Sequence, residues 1–139
     1  IRSTDFNANI GLKQLKKINK ISLIRHKNFK KYRSKLKDFW TQNSNLQLVS
    51  NFGYATFVKN RLEVYKYLKS KNIQTRPLIC GNMGQQPFLK TKKVIKENLN
   101  FAKFIDKNGI YLPNHANLSL KDVDYISDHF NNIAKPIFF

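Results

Sequence analysis

Arg76 is the side chain in this sequence that is best suited to recognising a charged ligand. It lies in the segment 75–79, where Pro77 favours an edge or irregular strand because proline cannot donate a hydrogen bond to a neighbouring strand. A guanidinium binds carboxylate or phosphate through two parallel hydrogen bonds. We therefore predict that Arg76 binds substrate, and a surface or ion-paired arginine is the alternative.

The loop over residues 80–87 combines side-chain amides with glycines and has no apolar periodicity. Gly81 and Gly84 would allow the backbone to approach a ligand closely. The amides suit the hydroxyl groups of a sugar, and an ordinary connecting loop is the alternative. The amides that we predict to bind substrate are those of Asn82, Gln85 and Gln86.

Asn114 and His115 directly follow a predicted strand at residues 110–112. Ligands gather at strand ends in α/β folds, so we predict that both side chains bind substrate. A histidine that only caps a turn is the alternative for His115.

Cys80 is the single cysteine of the chain. It cannot form an internal disulfide, and no histidine lies near it in sequence to activate it as a nucleophile. We expect a small buried filler at this position. The spacing of histidines, cysteine and acidic residues does not fit a metal site, so none is predicted.

The formal charge of +18 results from 26 lysines and arginines against 8 acidic residues. Clustered basic residues neutralise phosphates, which makes a stand-alone module that binds nucleic acid one alternative function. Here the lysines are spread along the whole chain, without an arginine-rich stripe or an RNP-type aromatic motif. Solvated lysines on helix faces are common, so the charge does not favour a nucleic-acid partner.

The first residues have the pattern of a helix start, with Ser3 and Thr4 as capping hydroxyls before Asp5. Gly11, which costs about 1 kcal/mol against alanine in a helix, suggests that another backbone passes close by. Because the chain begins with Ile1 rather than Met and its first residues already have the pattern of a helix start, we expect that further chain precedes it. Apolar residues mark two faces of this helix, as in helices buried between layers or subunits: Phe6 and Ile10 on one, and Ala8, Leu12, Leu15 and Ile18 on the other.

Helices and short strands then alternate along the chain. Strands are predicted at 46–49, 52–58, 75–79 and 110–112, and a further helix at 94–107. The apolar stripe of the second helix includes Phe29, Tyr32, Leu36, Phe39 and Trp40, which we place in the core.

Two capping boxes are predicted, Asn60 with Glu63 and Ser119 with Asp122. Between them, Asn72 has the pattern of a left-handed helix end. The first box opens a helix with an apolar stripe of Leu62, Tyr65 and Leu68, and the second opens one with Val123, Ile126, Phe130 and Ile133.

This alternation predicts an α/β (α+β) fold in which helices flank a short antiparallel or mixed sheet. The longest apolar runs are far shorter than the roughly 20 residues that span a bilayer, so no membrane partner is expected. The lone cysteine and the absence of a leader pattern favour a reducing, cytoplasmic setting.

Three stretches, in order, resemble the DegT/DnrJ/EryC1/StrS family of sugar aminotransferases that use pyridoxal 5'-phosphate (PLP). They cover residues 2–15, 73–87 and 109–119, and include Thr-Arg-Pro at 75–77 and Leu-Pro-Asn-His at 112–115. The resemblance implies the C-terminal small domain of a fold type I PLP enzyme, at residues 23–139. A linking helix, at residues 1–22, would join it to a large cofactor domain.

The resemblance implies that this domain is part of a larger enzyme. That enzyme would aminate a keto group on a nucleotide-linked deoxysugar, with glutamate as the amino-acid donor. The products of such enzymes feed surface polysaccharides such as O-antigen, and the active site lies in a homodimer interface. Arg2 would meet the cofactor phosphate.

The family's catalytic residue lies upstream of Arg2 and is not in this chain. It is lysine in the aminotransferases and histidine in the dehydratase branch, so a nucleotide-sugar 3-dehydratase is the alternative reaction. We expect no catalytic residue here, because a Schiff-base lysine must be desolvated and these lysines lie on polar faces. The chain alone is expected to be inactive.

Overall fold

The computed structural model describes residues 4–78, 81–89 and 99–138. Within these ranges the helices and strands alternate as the sequence predicts. In chain order the elements are α1 (Asp5–Leu15), α2 (Ile18–Lys35), β1 (Gly53–Phe57), α3 (Arg61–Ser70), β2 (Arg76–Pro77), α4 (Asn100–Asn108), β3 (Gly109–Pro113) and α5 (Leu120–Ile133). Two short 3-10 turns, Met83–Gln85 and Pro87–Leu89, precede α4.

The described strands form an antiparallel sheet in the order β1-β3-β2. β3 pairs with β1 along its whole length, from Gly53 opposite Pro113 to Phe57 opposite Gly109. On its other side it pairs only with the two residues of β2. The predicted α/β fold with a short antiparallel sheet and flanking helices is therefore confirmed.

The core lies between one face of the sheet and the helices α2, α3 and α5. Because side chains alternate along a strand, Ile110 and Leu112 of β3 enter the core, each 1% exposed. Fully burying such a side chain stabilises the fold by roughly 1.5–3 kcal/mol. The helices contribute buried residues to the same cluster: Phe29, Tyr32, Val64, Leu68, Val123, Ile126 and Phe130.

Two tyrosines form the centre of this core. The rings of Tyr32 and Tyr54 stack with their centroids 4.8 Å apart. The Tyr32 hydroxyl donates a hydrogen bond of 2.9 Å to the carbonyl of Pro113, at the end of β3. Burial raises the pKa of Tyr32 well above its ordinary range, so this hydroxyl keeps its proton.

The helix start at Thr4 is confirmed, because its hydroxyl accepts a 3.3 Å hydrogen bond from the N–H of Asn7. The burial expected for α1 is not found within the described residues: Phe6 is 73% exposed and Leu12 is 62% exposed. Apart from its own helix backbone and chain neighbours, no atom of the described residues lies within 4 Å of the position that a Cβ would take on Gly11. Both apolar faces of α1 are therefore open.

Two local predictions are wrong. Residues 46–49 form no strand, and the N–H of Val49 instead donates a 3.0 Å hydrogen bond to Nδ1 of His26 on α2. Asn60 is the N-cap residue of α3, but its side chain makes no capping hydrogen bond: its N–H groups reach Glu63 and the carbonyl of Ile133, and its Oδ1 accepts from the N–H of Lys135. The amide is used to fasten the chain after α5, a long-range contact that local spacing cannot reveal.

Trp40 was predicted to lie in the core, but it is 40% exposed. Helix α2 ends at Lys35, so the helical stripe does not extend to residue 40. The indole packs on Phe57 with ring centroids 4.6 Å apart, on the sheet face opposite the core.

Other local signals are confirmed. Asn72 has a positive φ of 59° after α3. Ser119 and Asp122 form a reciprocal capping box at the start of α5. The predicted stripe of α5 is buried at Val123, Ile126 and Phe130.

The buried face of α3 tests the packing directly. Leu68 is 0% exposed, whereas Leu62, which was predicted on the same stripe, is 71% exposed. We expect Leu68→Ala to lower the free energy of unfolding by about 2–5 kcal/mol, because it removes buried contacts and leaves a cavity. The matched Leu62→Ala should change it by less than about 0.5 kcal/mol. Urea unfolding measures both, and equal losses would contradict this orientation of α3.

Candidate functional site

A cleft of about 750 Å³ opens beside the sheet where β2 begins, next to the end of β3. We call it the edge cleft. Its size is in the range of small-molecule sites. The residues of the edge cleft on which the following description depends are Phe52, Arg76, Tyr111, Asn114, His115 and Asp122.

The shortness of β2 leaves this space. Pro77 pairs with Ile110 and Arg76 with Tyr111. Beyond Tyr111, β3 continues to Pro113 without a partner in β2. Pro113 has no N–H, and its carbonyl accepts the Tyr32 hydroxyl. A further strand therefore finds no N–H donor at Pro113, which weakens pairing at this point of the sheet edge.

Arg76 lies exposed at this edge, as the sequence predicted. Opposite residues of an antiparallel pair share one face, so Arg76 and Tyr111 lie side by side on the face away from the core. The ion pairs found among the described residues join Lys31 and Lys35 to α5 and do not include Arg76. Its guanidinium is therefore free to bind an anion.

Asn114 lines the edge cleft but is only 1% exposed. Its Nδ2 donates to the carbonyl of Asn51 at 2.8 Å and to that of Arg25 at 3.3 Å. Its Oδ1 is buried without a partner among the described residues. The amide thus ties the end of β3 to α2 and leaves one acceptor unused.

His115 is exposed, and its Nδ1 accepts a 3.3 Å hydrogen bond from the N–H of Asn117. An acceptor nitrogen carries no proton, so the neutral ring has its N–H at Nε2 and can donate there. Nearby, two hydrogen bonds from Ser119 hold the pKa of the Asp122 carboxyl below its ordinary value, with a smaller contribution from His115. Asp122 is therefore a fixed negative charge that belongs to the helix cap.

The structure does not bring the three predicted loop amides into the edge cleft. Asn82 is 2% exposed, and its Oδ1 accepts from the N–H of Gly84 at 3.0 Å, so it caps a 3-10 turn. Gln85 is exposed and Gln86 half-buried. Gly81 has a φ of +45°, and a Cβ there would collide with the Asp106 carboxylate, which explains this glycine without a ligand.

Arg2 and Cys80 lie outside the described residues. Within residues 4–78, 81–89 and 99–138, no group of three or more histidine, cysteine or acidic residues could hold a metal ion. No helix in that part of the chain is both long and apolar enough to cross a membrane.

The sequence analysis missed the aromatic wall of the edge cleft. Phe52 is 55% exposed, and its ring lies 5.1 Å from that of Tyr111, tilted by 50°. Because side chains alternate along a strand, the sequence of β3 is enough to place Tyr111 on the face away from the core, between Ile110 and Leu112 on the core face. The pairing of β2 with β3, which no local pattern reveals, puts this ring beside Arg76.

The DegT/DnrJ/EryC1/StrS aminotransferase family matches residues 1–131. Two curated relatives are GDP-4-keto-6-deoxy-D-mannose 3-dehydratases. The protein from Escherichia coli O55:H7 is 28% identical over 142 residues, with 92% of this chain and 35% of its own length covered. The Yersinia pseudotuberculosis protein is 32% identical over 133 residues, with 83% and 32% covered. The chain thus spans about a third of the curated relatives that it matches.

Solved structures agree in fold. The E. coli GDP-4-keto-6-deoxy-D-mannose-3-dehydratase with bound hydrated PLP matches with a TM-score of 0.76 and 28% identity, covering 93% of this chain and 36% of that one. Helicobacter pylori PseC, an aminotransferase involved in the biosynthesis of pseudoaminic acid, matches with a TM-score of 0.79 and 22% identity, covering 95% and 38%. The second match is a likeness of fold alone.

The hydrogen bonds from Asn114 to the carbonyls of Asn51 and Arg25, which we call the Asn114 tether, can be tested by mutation. We expect Asn114→Ala to lower the free energy of unfolding by about 1–3 kcal/mol, because the carbonyls of Asn51 and Arg25 lose their part-buried hydrogen bonds from this amide. Asn117→Ala, which changes an exposed amide three residues away, should have little effect. Thermal or urea unfolding of both variants measures the difference, and a neutral Asn114→Ala would show that the tether does not contribute.

Proposed function

The chain belongs to the DegT/DnrJ/EryC1/StrS aminotransferase family, and we propose that it is the small domain of a PLP-dependent enzyme that acts on a nucleotide-linked keto-deoxysugar. The observation that carries the proposal is the family match over residues 1–131. It is supported by the fold shared with a PLP-bound relative. In this proposal residues 23–139 close over the substrate and residues 1–22 lead from a cofactor-bearing domain.

The open faces of α1 support that division of the chain. Exposed apolar side chains grouped on one helix, such as Phe6, Leu12 and Leu15, mark a surface that packs against another part of a protein. The chain spans about a third of its curated relatives, which leaves about two thirds of their length to supply such a surface. We propose that α1 packs against the cofactor-bearing domain.

The cofactor would be held mainly by residues outside this chain, with Arg2 contacting its phosphate. PLP, when bound, supplies an electron sink at the substrate carbon. A lysine that forms a Schiff base must be desolvated to lower its pKa. The lysines of the described residues are all exposed or half-exposed, so they do not fit that role. The part of this chain that the structure describes would bind and orient substrate, through Arg76, Asn114 and His115 and through the amides of Asn82, Gln85 and Gln86.

The proposed reaction is transamination. The amino group of a donor such as glutamate replaces the keto oxygen of the sugar, and the donor leaves as a keto acid. The enzyme would act as a cytoplasmic homodimer, and its aminated product would enter the biosynthesis of a surface polysaccharide such as lipopolysaccharide. The family description supports amino transfer as the reaction.

A second candidate is 3-dehydration of the sugar. It is favoured by the names of the two curated relatives, both of which are 3-dehydratases at 28% and 32% identity. The residue at the cofactor-linking position of the whole enzyme separates the candidates, since lysine fits amino transfer and histidine fits dehydration.

The absence of a suitable lysine is testable on this chain. After incubation with PLP and reduction with borohydride, we expect no stoichiometric pyridoxyl-lysine by peptide mass spectrometry. Scattered low-level labelling of surface lysines is the expected background. One lysine labelled to completion would contradict the proposal that the catalytic lysine lies elsewhere.

The reaction itself is tested on the whole enzyme that contains this domain. Supplied with glutamate, PLP and a nucleotide-linked 4-keto-6-deoxysugar, it should give an aminated sugar together with 2-oxoglutarate, both detected by mass spectrometry. A product that keeps its keto group and lacks the 3-hydroxyl would instead identify the dehydratase. Neither product from any nucleotide-linked keto sugar would overturn the proposed function.

A further inference from the structure

We propose that the edge cleft binds the nucleoside diphosphate part of the substrate, with the base against Phe52 and Tyr111 and the diphosphate at Arg76. This inference rests on the proposed function and specifies which part of the substrate this domain holds. It is carried by two features that meet in the edge cleft: an aromatic wall, and a guanidinium that has no ion pair among the described residues.

The aromatic wall suits a flat ring. Phe52 lines the edge cleft and is 55% exposed although it packs on Tyr111. Each nucleobase has a π-face, and stacking on an aromatic side chain is tolerant of which base it is. An amino-acid donor such as glutamate has no aromatic ring to place here.

The charges of the edge cleft suit an anion with more than one oxygen. Arg76 has no ion pair among the described residues, and Lys71 and His115 line the same space. Asp122 is the acidic residue among the lining side chains, and its carboxylate is held by Ser119. A diphosphate matches this excess of donors, because a planar guanidinium binds two phosphate oxygens at once.

The same oxyanion chemistry could also serve the carboxylates of an amino-acid donor, so the test separates the two sources. Isothermal titration of the 139-residue chain at physiological salt would compare GDP, inorganic pyrophosphate, guanosine and glutamate. We expect GDP to bind at least about tenfold more tightly than each of the other three, since only GDP engages both the aromatic wall and Arg76.

Two matched pairs of variants locate the binding. Arg76→Gln should weaken GDP binding about tenfold or more. The matched Lys66→Gln, which removes one charge from an exposed position on α3, should change GDP binding less than about twofold.

Phe52→Ala should weaken GDP binding and leave pyrophosphate binding unchanged. The matched Leu46→Ala, which also removes an exposed apolar side chain, should affect neither. Circular dichroism confirms that each variant is folded.

Several results would overturn the inference. GDP and pyrophosphate could bind equally, which would indicate attraction by the net charge of +18 alone. Glutamate could bind in a manner lost with Arg76→Gln, which would assign the edge cleft to the amino donor. Absence of GDP binding to the folded chain would also refute it. If the whole enzyme still converts a nucleotide-linked sugar in any of these cases, the proposed function stands and only the nucleotide subsite fails.

Discussion

The attachment of the end of β3 to α2 is the constraint on which the candidate site depends. The Tyr32 hydroxyl holds the carbonyl of Pro113, and the Asn114 amide holds the carbonyls of Asn51 and Arg25. Both donor side chains are buried, and a hydrogen bond that is partly removed from water is worth more, and costs more to lose, than one in water. The attachment fixes where β3 stops, and therefore where His115 begins the wall of the edge cleft.

The two faces of the sheet have different roles because of this arrangement. One face carries Ile110 and Leu112 into a core covered by α2, α3 and α5. The opposite face carries Tyr111 and Arg76, which line the edge cleft together with residues from the start of α5 such as Asp122. Stability is thus concentrated on one side, which leaves polar and aromatic side chains on the other free to meet a ligand or a neighbouring domain.

Local signals succeeded where neighbouring residues alone decide the structure. The capping box of Ser119 and Asp122 and the left-handed Asn72 depend on atoms a few residues apart, and both are confirmed. They failed where a distant segment competes for the same group. Asn60 has the spacing of a capping residue, but its amide fastens Lys135 after α5. Trp40 continues a helical pattern, but the helix ends before it.

The sequence by itself determined the alternation of helices and strands, the buried stripe of α5 and the likeness to a family, because these follow from periodicity and from motifs within single segments. It also indicated Arg76 and His115, whose chemistry is plain from their types. Only the tertiary structure decided that Arg76 and His115 share the edge cleft with Phe52, while the amides of residues 82–86 do not line it. The physical reason is strand pairing: hydrogen bonds between β2 and β3 join segments more than 30 residues apart, and nothing in either segment specifies its partner.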